Sequence, residues 1–242
     1  MKFENVRVCN FENALRGMRN PLNSWAKSDS EFGLSPVECI SRQEEDIVIL
    51  WQDFELCEYA KIGPNDMDLA RRLINGGTEH RKFLRQIMVS VDITAPLYWW
   101  KEFDTYKVGT TANSTSTMHK LASTPITLDC FEMGDFSDMV IDTCPAEDNT
   151  VWEYTTEEYV NCLIEGLEIL RERYNETKDK RYWKELVRWL PNGWLQTRTV
   201  TMNYENLRSM YHQRENHKLC EWSEHFCKWV ETLPYAKELI IE

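Results

Sequence analysis

The sequence is poor in glycine, in proline and in long hydrophobic runs. Its 242 residues include only nine Gly and eight Pro, which excludes collagen-like and low-complexity classes. No apolar run approaches the roughly 20 residues that a membrane-spanning helix needs. Residues 1–10 also lack the apolar core of a signal peptide. We therefore expect a cytoplasmic protein with no membrane partner.

Positive charge is scarce as well. The chain has 28 Lys and Arg against 40 Asp and Glu, which gives a net charge of −12. A surface this acidic repels phosphate backbones, so we expect no long nucleic acid as a partner, although a local basic patch can still hold a small anion. Aromatic residues make up 12% of the chain, too many for global disorder.

The eight cysteines form no C-x-x-C pair. In a cytoplasmic chain of this size we expect reduced, mostly buried thiols rather than disulfides. A zinc site built from Cys220, Cys227, His217 and His225 is an alternative, although their spacing matches no standard pattern. The sequence also lacks a Gly-rich phosphate loop, a Rossmann fingerprint, a G-x-S-x-G elbow and an H-E-x-x-H motif. We therefore assign no catalytic residue and no metal ligand.

Hydrophobic periodicity predicts a mostly helical α+β fold in a single domain over 1–242, with a loop-rich N-terminal arm over 1–45. Strict alternation of apolar residues predicts a strand within 83–94, and the run 46–51 fits either a strand or a buried helix. The predicted helices are 67–75, 97–103, 155–174, 180–190, 204–214 and 222–232. Segments 107–117 and 121–150 are interpreted as loops.

Basic residues cluster near the N-terminus. Arg16 and Arg19 are three residues apart and share one face if this segment is helical. With Ser24, Lys27 and Ser28 close behind them, they form a group that suits a phosphate. A solvated arm that carries surface charges is the alternative interpretation.

Two further segments carry polar residues at high density. Residues 98–107 mix aromatic and charged side chains, which is typical of an amphipathic helix with core anchors, and 109–119 are rich in hydroxyl groups. In residues 206–218, Arg208 and His212 are four apart, so they share a face of the predicted helix. An Arg beside a His suits a phosphate or an anionic base. A structural loop and a surface helix with salt bridges are the respective alternatives.

At these residues the sequence resembles the flavin-dependent thymidylate synthases (ThyX). Leu190-Pro191 followed by N-L-R-S-x-x-H at 206–212 resembles the C-terminal signature of that family, whose Arg contacts the substrate nucleotide. The order of a helix at 67–75, His80, an alternating strand, Pro96 and an aromatic helix is also similar. The resemblance covers about residues 66–120 and 186–222.

The sequence departs from the family at its R-H-R motif, where Thr105-Tyr106-Lys107 stands instead. In the N-E-x-S-x-R loop that follows, Asn113 and Ser116 match, but the acidic residue and the arginine do not. Because the R-H-R residues hold flavin and substrate in the family, and because Lys107 lacks the bidentate fork of arginine, we expect FAD to bind weakly or not at all.

The resemblance implies a ThyX-like α+β fold, helix-rich with a central antiparallel sheet. It also implies a homotetramer with nucleotide pockets at subunit interfaces. The N-terminal arm and the segment 99–107 resemble phage-borne relatives of the family, so we expect a divergent member encoded by a phage. The nucleotide-binding residues that it implies, together with the N-terminal cluster, are Arg208, Ser209, His212, Arg214, Asn113, Ser114, Ser116, Lys107, Tyr106, His80, Arg16 and Arg19.

Two functional hypotheses follow from the resemblance. The first is an enzyme that transfers a methyl or hydroxymethyl group to a dUMP-type pyrimidine deoxynucleotide, with chemistry supplied by flavin and folate. The second is a non-catalytic phage protein that binds or sequesters a signalling nucleotide. The replaced R-H-R motif favours the second hypothesis, whereas the retained Arg208 and His212 are compatible with both.

Overall fold

The computed structural model describes residues 1–36, 47–52, 56–145 and 151–242. The helices are α1 (Phe11–Met18), α2 (Pro64–Asn75), α3 (Leu97–Phe103), α4 (Thr117–Lys120), α5 (Thr156–Thr177), α6 (Lys180–Trp189), α7 (Tyr204–Arg214) and α8 (Cys227–Glu231). The strands are β1 (Lys2–Cys9), β2 (Glu31–Pro36), β3 (Val48–Gln52), β4 (Leu56–Lys61), β5 (Met88–Pro96), β6 (Thr111–Ser114), β7 (Val140–Pro145), β8 (Val151–Thr155) and β9 (Leu195–Asn203). Two π-helices complete the elements used below, Glu221–Phe226 and Lys237–Ile241.

The strands form three sheets. One has four strands in the order β1-β5-β9-β6, the second has three in the order β2-β4-β3, and the third is the β7-β8 pair. The β2-β4, β3-β4 and β7-β8 pairs are antiparallel. The predicted fold class, α+β and helix-rich with an antiparallel sheet, is confirmed.

The chain divides into two compact units. The first comprises Met1–Ile93, Glu102–Asn113 and Arg198–Glu242, and the second comprises Thr94–Lys101 and Ser114–Thr197. The second unit has a small core of its own around Leu167 and Leu186 on α5 and α6. The prediction of one domain over 1–242 stays a prediction.

The alternation predicted for the middle of the chain is present in β5. Val89, Val91 and Ile93 are buried, whereas Met88 and Asp92 on the other face are partly exposed. The strand starts later than predicted, because residues Lys82–Gln86 form a 3₁₀ helix, and it continues to Pro96.

The prediction of a loop-rich N-terminal arm is wrong over 1–36. This segment contains β1, α1 and β2, while 37–45 lies outside the described residues. In α1 the buried side chains are Phe11, Ala14, Leu15 and Met18, a spacing of i, i+3, i+4 and i+7 that places them all on one face. Polar residues between them obscured this pattern in the sequence.

Two segments interpreted as loops contain strands. Segment 107–117 includes β6, and 121–150 includes β7, although 146–150 lies outside the described residues. The ambiguous run 46–51 contributes the strand β3, with residue 46 outside the described part. β9 was not predicted from the sequence.

The cysteines are less buried than predicted. All seven that the structure describes are free thiols, but only Cys57 and Cys227 are buried, and Cys9, Cys144 and Cys162 are exposed. Cys39 lies outside the described residues. Within the described chain, no helix combines the length and the apolar character needed to cross a membrane.

A buried carboxylate joins three segments of the first unit. Asp66, in the first turn of α2, is fully buried, and its carboxylate accepts hydrogen bonds from Arg19 Nε at 2.5 Å and from Ser28 and Ser30 Oγ at 2.6 Å each. Burial alone raises the pKa of Asp66, but the hydrogen bonds from Ser28, Ser30 and Arg19 outweigh it and hold this pKa below its usual value.

We predict that Asp66→Ala destabilises the protein by about 3–5 kcal/mol, because it leaves the buried Arg19 without its counter-charge. Since the folded-state pKa of Asp66 is lowered, its stabilisation is complete above the unfolded pKa of about 3.9 and is lost as the pH falls through the folded pKa. Urea unfolding at pH 7 and pH 3 measures both effects. Asp68→Ala is the control, because Asp68 pairs with Arg72 at the surface, where removal costs about 0.5 kcal/mol. Equal losses in the two variants at pH 7 would contradict the prediction.

Candidate functional site

A pocket of about 480 Å³ lies in the first unit, where the segment after α3 meets the start of α7. We call it the site pocket. Its lining residues are Arg85, Thr105, Tyr106, Lys107, Val108, Gly109, Asn203, Glu205, Asn206 and Ser209. Three of them, Tyr106, Lys107 and Ser209, belong to the nucleotide-binding set predicted from the sequence.

Asn206 holds the two sides of the site pocket together. Asn203 is the N-cap of α7, and the two asparagines form a capping box in which each side chain accepts a hydrogen bond from the backbone N–H of the other. The remaining donor of Asn206, Nδ2, reaches the carbonyl oxygen of Val108 at 2.7 Å. One side chain therefore caps the helix and fixes the loop at 105–109.

Gly109 is required for this close approach. Its φ is +81°, in the left-handed region that favours glycine. A Cβ atom built at this position would lie 2.8 Å from Asn206 Oδ1. A larger residue at 109 would therefore separate the loop from α7.

Arg214 and Gln213 fix the position of the Tyr106 side chain. Its hydroxyl accepts a hydrogen bond from Arg214 Nε at 2.8 Å and donates to Gln213 Oε1 at 3.2 Å. The guanidinium of Arg214 lies over the rings of Tyr106 and Trp222, at 5.5 and 4.7 Å from their centroids, and Nη1 pairs with Glu102 at 2.9 Å. Arg214 thus orients Tyr106 and does not itself line the pocket.

The charges of the pocket lining are positive on balance. Glu205 is neutralised by Arg81, whose Nε lies 2.8 Å from its carboxylate. Lys107 and Arg85 are exposed, and neither forms an ion pair with any residue that the structure describes. Within a protein of net charge −12, the site pocket presents two cations to a ligand.

Arg208, which the sequence predicted to bind the nucleotide, makes its hydrogen bond outside the site pocket. Its Nη1 donates a hydrogen bond to the carbonyl oxygen of Ile240 at 2.6 Å, which ties α7 to the C-terminal π-helix Lys237–Ile241. Burial and then repulsion by Arg81 lower the pKa of Arg208. The residue is not among those that line the site pocket.

Other predicted residues also lie outside the lining. His212 is exposed and contacts the ring of its neighbour Tyr211 edge-on. His80 packs against Gly76 and lines a separate cavity of about 380 Å³. The structure therefore does not bring these two histidines to the site pocket.

The residues of the polar loop and the N-terminal cluster have other positions. Asn113 and Ser114 are exposed on β6, and Ser116 caps α4 by accepting a hydrogen bond from the N–H of His119 at 3.2 Å. Arg16 and Arg19 line a smaller cavity beside α1. The nucleotide-binding role predicted for all five residues stays a prediction.

Sequence reasoning missed Arg85 and did not assign a role to Asn206. The capping box has a detectable signal, because asparagines three residues apart stand immediately before and within the start of a predicted helix. Arg85 has no comparable signal, since its neighbours in the pocket are distant in the sequence. Among the described residues, no group of three or more His, Cys, Asp or Glu side chains is placed to hold a metal ion.

Comparison with solved structures shows which fold this is. ThyX from Helicobacter pylori, complexed with FAD and dUMP, matches with a TM-score of 0.60 and 15% identity over 97% of each chain. A second Helicobacter pylori ThyX structure with FAD and dUMP gives a TM-score of 0.62 and 14% identity over 98% of this chain and 97% of that one. The fold is that of ThyX.

The UMP/dUMP methylase PolB from Streptomyces cacaoi, bound with 5-Br dUMP, is also similar, with a TM-score of 0.52 and 12% identity over 99% of this chain and 95% of that one. No protein-family model matches the chain, and no curated protein matches it. The resemblance to ThyX indicated by the sequence is thus confirmed at the level of the fold.

We predict that Asn206→Ala lowers the free energy of unfolding by about 1–2 kcal/mol, because it removes one half of the capping box and the hydrogen bond to Val108. Urea denaturation measures the loss. Asn216→Ala is the matched control, because Asn216 is exposed beyond the end of α7 and its removal is expected to cost at most about 0.5 kcal/mol. If both variants unfold at the same urea concentration, Asn206 does not fix the loop.

Proposed function

We propose that the protein binds a pyrimidine deoxynucleotide of the dUMP type in the site pocket. The observation that carries this proposal is a pair of cations, Lys107 and Arg85, without ion-pair partners in the described chain, facing a pocket of about 480 Å³. This volume lies within the roughly 300–1,000 Å³ of small-molecule sites. The ThyX fold supports the choice of ligand, because the two Helicobacter pylori ThyX structures that it resembles contain dUMP.

The phosphate of the nucleotide is assigned to the two cations. A lysine ammonium and an arginine guanidinium both form charge-assisted hydrogen bonds with phosphate oxygens. The nearby carboxylate of Glu205 does not oppose this, because Arg81 neutralises it. Electrostatics therefore favours a dianionic group here over a neutral nucleoside.

The sugar and base are assigned to the remaining lining. Thr105 and Ser209 offer hydroxyl groups to them, and Tyr106 offers a ring that Arg214 holds in one orientation. Aromatic side chains of this kind bind planar ligands through their faces and edges. In this arrangement Arg208 has a structural role, because its hydrogen bond to the carbonyl oxygen of Ile240 ties α7 to the C-terminal π-helix.

The residues at the R-H-R position do not fit flavin as the family's motif does. Thr105 carries no charge, Tyr106 is engaged by Arg214, and Lys107 presents a point charge in place of a planar fork. We therefore derive no chemical step through FAD. If activity survives, the resemblance implies transfer of a methyl or hydroxymethyl group to the bound base, with flavin and folate supplying the chemistry.

A non-catalytic role is the second candidate. The same replacement at Thr105-Tyr106-Lys107 favours a phage protein that keeps a nucleotide pocket and sequesters the nucleotide instead of converting it. The two candidates share the ligand site and differ in whether product forms. Incubation with dUMP, folate donor, reductant and added FAD, followed by mass spectrometry of the nucleotide, separates them.

We predict that Lys107→Gln weakens dUMP binding about tenfold, because it removes a charge-assisted hydrogen bond to the phosphate. Isothermal titration calorimetry on the full chain measures the affinity. Lys237→Gln makes the same change of charge at an exposed position outside the site pocket and is expected to leave the affinity unchanged. Unchanged affinity in Lys107→Gln, or no dUMP binding by the parent protein, would refute the assignment.

We also predict that the protein purifies as a homotetramer, as the sequence resemblance implies, and without stoichiometric FAD, because Thr105-Tyr106-Lys107 replaces the R-H-R motif. Gel filtration with absorbance and light-scattering detection reads both properties in one experiment. The expected result is a mass of about four times the chain mass of 28.8 kDa, with no flavin band under the peak. A yellow peak would contradict the first statement, and a mass near 28.8 kDa would contradict the second.

A further inference from the structure

Glu205 is the one acidic residue among the described residues that line the site pocket. It lies in the first turn of α7, four residues before Ser209, so the two side chains share one face of the helix. Ser209 lines the same pocket, and this face therefore turns toward the ligand site. A carboxylate in the wall of a site for an anionic ligand has to be accounted for, because like charges repel.

Arg81 fixes the carboxylate of Glu205. The N–H at Nε of Arg81 is shared between the two carboxylate oxygens, at 3.0 and 2.8 Å, and Nη2 donates to Thr78 Oγ1 at 3.3 Å. The side chains of the pair are only 23% and 14% exposed. Glu205 is therefore held in one orientation with its charge balanced, so it can line the pocket without repelling a phosphate.

The carboxylate of Glu205 has unused capacity to accept hydrogen bonds. A carboxylate offers about four lone-pair sites. Among the residues that the structure describes, the one donor to Glu205 is Nε of Arg81. Because the side chain is 14% exposed, bulk water has little access to the remaining sites. Buried acceptors that lack donors cost free energy, which favours a ligand that brings a donor to them.

The other polar side chains of the lining are already engaged within the chain. Asn203 and Asn206 form the capping box, Thr105 donates its hydroxyl proton to a backbone carbonyl at 2.7 Å, and Ser209 accepts a hydrogen bond from Gln213 at 2.9 Å. The lining thus contains one charged acceptor. Hydrogen bonds to a charged acceptor are roughly twice as strong as those between neutral groups.

We propose that Glu205 selects the nucleotide by accepting a hydrogen bond from a neutral donor of the ligand, either the 3′-hydroxyl of the sugar or the N3–H of the pyrimidine. This inference rests on the nucleotide site proposed above. Arg81 balances the charge of Glu205, whereas Lys107 and Arg85 form no ion pair in the described chain. The phosphate therefore binds the two cations, and the end of the nucleotide that carries the donor binds Glu205.

Calorimetric titration of the full chain with dUMP and two analogues tests the inference and separates the two donors. The 3′-deoxy analogue of dUMP lacks the sugar hydroxyl, and N3-methyl dUMP lacks the N–H of the base. The parent protein is expected to bind one analogue about tenfold more weakly than dUMP, because the carboxylate then loses its donor. The analogue that is affected identifies which group Glu205 binds.

Variants of Glu205 show whether this preference depends on its carboxylate. Glu205→Gln is expected to reduce the preference to less than about threefold, because a neutral amide oxygen accepts more weakly. The preference is a ratio of two affinities in one protein, so a general change in the attraction for phosphate cancels. Glu205→Asp keeps the charge that Arg81 needs for folding but withdraws the carboxylate by one methylene, and is also expected to lower the preference.

Glu31→Gln is the matched control, because it makes the same change of charge at an exposed position outside the site pocket. It is expected to leave the preference of about tenfold unchanged. A loss of preference in Glu31→Gln equal to that in Glu205→Gln would overturn the inference, since the effect is then one of general charge.

The inference is also overturned if the parent protein binds all three nucleotides alike, or if the preference persists in both variants of Glu205. These failures differ from a failure of the proposed function. If dUMP binds and Lys107→Gln weakens it, but the preference does not depend on Glu205, the nucleotide site stands and the selecting role of Glu205 is wrong. If the parent protein binds no dUMP, both proposals are overturned.

Discussion

The buried carboxylate of Asp66 is the contact on which the N-terminal half of the first unit depends. It joins α1, the segment at 28–30 and the start of α2 through four hydrogen bonds. Because removal of one partner leaves a buried charge uncompensated, none of these segments can shift without a large loss of free energy.

A few hydrogen bonds also determine the shape of the site pocket. The amide of Asn206 accepts and donates within the capping box and also holds the carbonyl of Val108. The φ of +81° at Gly109 lets the loop approach this amide. The pocket is therefore shaped by backbone and amide contacts that leave the charged groups Lys107 and Arg85 available for a ligand.

The elements with a clear local sequence pattern were the ones that could be predicted. The alternation in β5 and the bounds of α7 could be predicted because each depends on neighbours within a few residues. β9 was missed, because its threonines and arginine conceal the buried positions Val200 and Met202. The hydrogen-bond partner of Arg208 could not be predicted from the sequence, because Ile240 lies 32 residues away and only the folded chain brings the two together. Tyr106 and Lys107 were identified through the family resemblance, whereas Arg85 carries no pattern of its own.

The loop at 105–109, which stands at the position of the R-H-R motif, is held by contacts within this chain. By resemblance, the family uses these residues to bind flavin and substrate. Here Arg214 fixes Tyr106 from one side, through the hydrogen bond to its hydroxyl and the contact with its ring, and Asn206 fixes Val108 from the other. The chain's own side chains thus define the loop before any ligand arrives. A preformed loop loses less conformational entropy when a ligand binds, so this arrangement supports the nucleotide site that we propose.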